Sequence, residues 1–221
     1  MGRPSLARRL HLFVATMLCL GLPSVAVAHP HAWIDLTVDV LFNASGRVTG
    51  LHETWLLDEY YTAYVTVGYV GRDGKTDRDK MAALSQRSMK NLAGYSYFTK
   101  VTTGSAAVPF GDVEDASAQM RGRRLELAFL LPFATPADVT DEPLVYSIYD
   151  PTFYIQILHA KRSDAIRLVG APRDCHYRLI SPHPSPETVM RAAAIDLTHT
   201  GGNGWGQLFA QKVSVRCGAP P

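Results

Sequence analysis

The chain has 221 residues, 47% of them hydrophobic and 19% charged, with a formal net charge of +2. The positive balance belongs to the first 28 residues, which hold three of the 22 basic residues and none of the 20 acidic ones, so the remainder carries −1. With no basic tract in that remainder, nucleic acid is not an expected partner.

Residues 1–28 read as a secretory signal that is cleaved. Arg3, Arg8 and Arg9 form the charged start, residues 10–22 a short apolar run, and Ala26-Val27-Ala28 a small-residue cleavage site. The run is too short to span a bilayer comfortably. Thr16-Met17-Leu18 before Cys19 does not match a lipoprotein acylation box. No later stretch is apolar for long enough to be a membrane span. The expectation is a periplasmic protein whose single domain comprises residues 29–221.

Cleavage after Ala28 places an α-amine and an imidazole together on His29, with a second imidazole on His31. In an extended strand, residues two apart share a face at roughly 6 to 7 Å. Pro30 has no backbone N–H to ionise, which removes the square amino-terminal copper site that needs one. A brace of amine and imidazole remains, or a plain multi-histidine site, suited to zinc, copper or nickel. A polar tail is the alternative reading of the two histidines, and the strand that follows at once argues against it.

From Ile34 the apolar residues alternate through Leu36, Val38, Val40 and Phe42, the pattern of a half-buried strand. Asn43-Ala44-Ser45-Gly46 supplies a turn, and residues 47–57 return with Leu51, Trp55 and Leu57 on one face. Glu53 falls on that apolar face and His52 on the other, an edge position being one explanation of the acid. Asp58 stands where a helix N-cap belongs, before Glu59-Tyr60-Tyr61-Thr62-Ala63-Tyr64-Val65. The tyrosines are expected to pack in the core, and Asp58 and Glu59 as metal or substrate ligands are the competing reading.

Residues 71–79 look superficially like a calcium loop, but Tyr69, Gly71 and Lys80 occupy the positions where carboxylates belong. Thr76 and Asp79 fit a capping pair better, ahead of a helix with Met81, Leu84, Ser88 and Leu92 on one face and Gly94 at its end. Strands are then expected at 95–102, 107–110, 113–120, 124–131, 144–149, 153–160, 166–169 and 175–180. Their short spacing predicts antiparallel neighbours. A stiff connector at 181–186, a helix over 187–197, a loop at 201–204 and a last strand over 212–217 complete the reading.

Cys175 and Cys217 are the two cysteines beyond the signal, and in an oxidising compartment they are expected to be joined, with a two-cysteine metal site as the alternative. Asp150, before Pro151, reads as turn chemistry, or as a strand-end carboxylate completing a site with His29 and His31. His159, His176, His183 and His199 share no spacing and read as surface or packing residues. No GxSxG, P-loop or HExxH signature is present, so the chain is not expected to be an enzyme.

The His29-Pro30-His31 start with its strand, Trp55-Leu56-Leu57-Asp58-Glu59-Tyr60, Tyr149-Asp150-Pro151-Thr152-Phe153-Tyr154, Gly170-Ala171-Pro172 with Cys175, and Leu208-Phe209-Ala210 on to Cys217 together resemble a bacterial family of unknown function. The resemblance covers nearly all of residues 29–221. Members of that family are described as periplasmic components of ABC-type transport systems, often beside zinc, nickel or cobalt transporters. Many members carry an acidic loop of calcium type between two helices, and the substitutions noted above mean that calcium dependence does not carry over.

The sequence therefore predicts an α+β fold, mainly antiparallel sheet with a sandwich as one arrangement, and two or three helices. The expected function is to bind a divalent transition metal, zinc first and copper, nickel or cobalt next, in the service of a membrane metal transporter. His29 and His31 are the expected ligands, with Asp58 and Asp150 as completions. Two alternatives stand beside it: a histidine-brace copper enzyme, and a non-metal interaction module of an envelope or transporter complex.

Overall fold

The computed structural model describes residues 30–71, 73–194 and 204–218. It opens on the hairpin that the alternation predicts. β1 (Ala32–Phe42) pairs antiparallel with β2 (Val48–Leu57), placing Ile34 opposite Leu57, Leu36 opposite Trp55 and Val38 opposite Glu53. The Asn43 side chain closes the turn by accepting from the Ser45 and Arg47 amides at 3.1 and 3.0 Å, and Gly46 takes a φ of 74°.

Two sheets follow from the remaining strands. The first runs β5 (Glu114–Arg121), β6 (Arg124–Ala137), β2, β1 and β8 (Ile155–His159), with β9 (Ile166–Val169) continuing along the same edge of β1. The second runs β10 (His176–Ile180), β11 (Lys212–Arg216), β7 (Leu144–Ile148), β3 (Thr99–Thr103) and β4 (Ala106–Ala107). Leu36, Leu51 and Phe129 from the first sheet share one core with Tyr146, Val213 and Val215 from the second. Four α-helices complete the described residues: α1 (Glu59–Val65), α2 (Arg78–Ala93), α3 (Pro186–Ala193) and α4 (Trp205–Phe209). The fold is mixed α and β, mainly sheet and mostly antiparallel, as expected from the sequence. Among the described residues, no helix is long and apolar enough to cross a membrane.

Several local expectations change. β8 and β9 both run parallel to β1, along Ala32 to Leu36 and Val38 to Leu41 respectively. Short spacing forces antiparallel pairing only between strands consecutive in sequence, and more than a hundred residues separate β1 from β8. The strand expected at 95–102 begins at Thr99, because Ser96, Tyr97 and Phe98 form a turn with φ of 51°, 54° and 56°. α2 is capped by Asp77, whose carboxylate accepts from the Asp79 and Lys80 amides, rather than by Thr76. Thr76 instead bridges Val70 across the tight turn before it. Tyr60 and Tyr64 stand 88% and 75% exposed, while Tyr61 and Val65 on the other face of α1 pack against the core. α4 is a helix that the sequence reading does not assign. The helix expected over 187–197 is seen as Pro186–Ala193, and residues 195–197 lie outside the described residues.

Cys175 and Cys217 are joined by a disulfide. They flank the antiparallel pair of β10 and β11, in which His176 faces Arg216, so the covalent link closes the end of a ladder already in register.

Candidate functional site

Three of the four sequence-predicted ligand positions come to one end of the first sheet. His29 lies outside the described residues. His31 directly precedes β1, half-buried, and its amide donates to the Tyr154 carbonyl at 2.9 Å while its ring lies 4.9 Å from the Tyr154 ring. Ala32 is in register with Ile155, which puts the entry of β1 beside the entry of β8.

Asp58 is the N-cap of α1 and something more. One carboxylate oxygen accepts from the Tyr60 and Tyr61 amides at 2.8 and 2.9 Å. The other accepts from the Trp33 amide at 2.8 Å, and the Asp58 amide returns a bond to the Trp33 carbonyl at 2.9 Å. A single side chain thus starts a helix and ties it to the first turn of β1.

Asp150 is 5% exposed and organises the turn into β8. Its Oδ1 accepts from the Thr152 amide and hydroxyl, each at 2.8 Å, and its Oδ2 accepts from the Ile155 amide at 3.0 Å. α4 closes over this turn, with the Gly204 and Gly206 amides donating to the Pro151 carbonyl at 3.1 and 3.2 Å. A Cβ at Gly206 would collide with the Asp150 carbonyl, so only glycine permits that approach. Sequence inspection singles out Asp150 but not Gly206, whose need for a bare backbone arises from a contact 56 positions away in the chain.

Tyr61 lies within electrostatic reach of both carboxylates. Its phenol is pushed up to about 12, chiefly by burial, with further contributions from Tyr154, Asp150, Tyr64 and Asp58. The end of the sheet is therefore an electronegative, tyrosine-lined region in which both carboxylates already accept backbone N–H groups. Among the described residues, no group of three or more His, Cys, Asp or Glu side chains is gathered closely enough to hold a metal ion.

Two buried polar assemblies lie deeper in the core. Glu53 is fully buried on β2, an interior strand rather than an edge, and burial pushes its carboxyl up to about 7 against the opposing bonds from Thr99 and Trp55. Trp55 Nε1 donates to Glu53 Oε2 at 2.9 Å. Thr99 Oγ1 lies 2.8 Å from Glu53 Oε1 and 3.0 Å from the Tyr97 carbonyl, offering one proton to two acceptors. A proton on Glu53 Oε1, donated to Thr99, lets both contacts stand. In the second assembly, the His159 amide donates to Gln211 Oε1 at 2.8 Å and His159 Nδ1 lies 3.0 Å from the same oxygen, while Nε2 lies 3.2 Å from the Tyr146 hydroxyl. Gln211 Oε1 only accepts, so Nδ1 carries the proton and Tyr146 donates to Nε2. Burial lowers the His159 pKa below its ordinary value of 6.5.

A family model described as "Protein of unknown function (DUF1007)" matches residues 14–217. A Haemophilus influenzae protein described as "Uncharacterized protein" is 26% identical over 195 residues, spanning 86% of this chain and 92% of its own length.

Proposed function

The chain belongs to the DUF1007 family of proteins of unknown function, and from that premise we propose that it is an exported transition-metal-binding protein serving a membrane metal transporter. The observation that carries the reading is the position of His31. Instead of trailing from the domain, it is bonded to Tyr154 where β1 begins, between the strand starts fixed by Asp58 and Asp150. His29, one proline earlier, supplies the second imidazole and, once the signal is removed after Ala28, the α-amine. Nitrogen donors of this kind fit zinc, copper, nickel or cobalt, with zinc the first expectation.

In this reading, Asp58 and Asp150 are positioning residues. Their oxygens hold the Trp33 and Ile155 amides, which fixes where the histidine segment leaves the sheet. The metal, when bound, is cargo to be handed on, and the periplasm is where the protein meets its transporter.

The test compares zinc and copper affinity of the protein beginning at His29 with a form carrying one extra residue before it, and with His31→Ala. Loss of tight binding on extension places the amine among the ligands. Equal binding by the first two and loss in His31→Ala keeps the imidazoles alone. Unaltered binding in all three, or none in any, refutes a metal site at this end of the sheet. A second reading, a non-metal interaction module, is favoured by an exposed apolar set at α1 and the turn after it, where Tyr60, Tyr64 and Val67 stand 88%, 75% and 77% exposed.

A further inference from the structure

We propose that the cavity beneath α1 and α2 binds a small amphipathic monoanion, an apolar body carrying one carboxylate or a similar head. Its volume is about 590 Å³, within the range of roughly 300–1,000 Å³ common to small-ligand sites. Ile34, Trp55, Leu127 and Ile155 from the core face of the first sheet form part of its floor. The 7-residue α1 and the 16-residue α2 contribute the walls over that floor without filling the space between.

The polar groups are distributed unevenly, and this defines the ligand. Arg87, Ser88 and Asn91 all lie on α2, with Arg87 and Asn91 one turn apart and exposed at the rim, so the cationic group stands at the mouth, tyrosines line the sides and the floor is apolar. Among the described residues, no Asp or Glu lines the cavity. Arg87 contacts the Tyr69 hydroxyl at 3.4 Å and forms no ion pair with a carboxylate among the described residues. A monoanion bound with its head toward Arg87 and its body over Trp55 satisfies both halves of the site.

The floor is also rigid before any ligand arrives. The Trp55 indole is held by its bond to Glu53 and stacks on the Phe98 ring at 6.1 Å and 5°. Phe98 closes the turn of three left-handed, non-glycine residues described above, a conformation that L-residues keep only where their surroundings enforce it. A pre-shaped wall reduces the ordering cost of binding. None of the lining residues is a proposed metal ligand, although Tyr61 and Ile155 belong both to the cavity and to the end of the sheet described above.

The test is calorimetric titration of the purified protein with sodium laurate below its micelle concentration, beside dodecyltrimethylammonium, which has a like tail and the opposite charge. The expected result is saturable one-to-one binding of laurate, at least about tenfold weaker binding of the cation, and about tenfold loss of laurate affinity in Arg87→Gln. Asn91→Trp, a change at an exposed position on the cavity wall, is expected to abolish binding while melting behaviour stays that of the parent. Absence of saturable binding, equal affinity for the two surfactants, a laurate affinity untouched by Arg87→Gln, or retained binding in Asn91→Trp would each overturn the proposal.

Discussion

At the scale of single residues, the most informative group is Glu53, because its environment fixes both its protonation and the sign of its effect on stability. Its folded pKa of about 7 lies above the ordinary value of 4.5, so between those two values the folded state holds a proton that the unfolded state has released. Stability from this source is complete below about pH 4.5 and is lost as pH rises through 7, a change of about 3 kcal/mol. His159 acts in the opposite direction. With a folded pKa below 6.5, it resists protonation in the fold, so stability falls as pH drops through 6.5. Glu53→Gln separates the two. The amide oxygen accepts from Trp55, the NH₂ donates to Thr99, and Thr99 keeps its bond to Tyr97, reproducing the protonated network. Urea denaturation of the variant at pH 5 and pH 8 is expected to lack the loss of about 2.5 kcal/mol that the parent shows from this group over that interval. An unchanged difference between the two pH values would mean that Glu53 is ionised in the fold across that range.

At the scale of elements, the disulfide makes the plainest prediction. It closes a loop of 42 residues that contains α3 and α4 and joins the ends of β10 and β11. Replacing both cysteines by serine should lower stability by about 4 kcal/mol in the chain-entropy treatment, read as a shift in the denaturation midpoint. An unchanged midpoint would show that the unfolded chain already keeps these strands together. Which elements the sequence made legible follows a similar logic of local against distant cause. β1 was readable because alternation is a property of one strand, and Asp58 because its cap is made to residues two and three positions ahead. The pairing of cysteines needed only their number and compartment. By contrast, the choice between the two tyrosine faces of α1 is made by the sheet beneath it, and the left-handed turn at 96–98 by packing of Phe98 on Trp55. The carboxylates of the candidate site were visible as residue types. Their actual partners, Trp33 and Ile155, were not, since one is 25 positions away and the other follows a turn that α4 holds in place.

At the scale of the whole molecule, β1 is the strand on which the architecture depends, and its parallel partners were hidden because they arrive from the far end of the chain. One of its edges is paired with β2, the other with β8 and β9 in succession. Cross-strand ties reinforce this centre. Arg124 on β6 reaches across β2, donating to the Leu56 and Leu57 carbonyls at 2.7 Å each and to Asp35 of β1 at 2.8 Å, and Arg167 of β9 pairs with Asp39 of β1. The periphery is different: α3 buries only Ala192, and β10 is exposed along its whole length. Opening free energy should therefore fall from the centre outward. Native-state hydrogen exchange is expected to show the amides of Ile34, Leu36, Val38 and Val40 exchanging only through global unfolding. The amides of α3 should open at a free energy lower by at least about 3 kcal/mol, because few buried contacts must break. Equal protection in the two regions would mean that the loop closed by the disulfide folds and unfolds as one unit with the first sheet, in which case the covalent link, rather than the pairing of β1, would set the cooperativity of the protein.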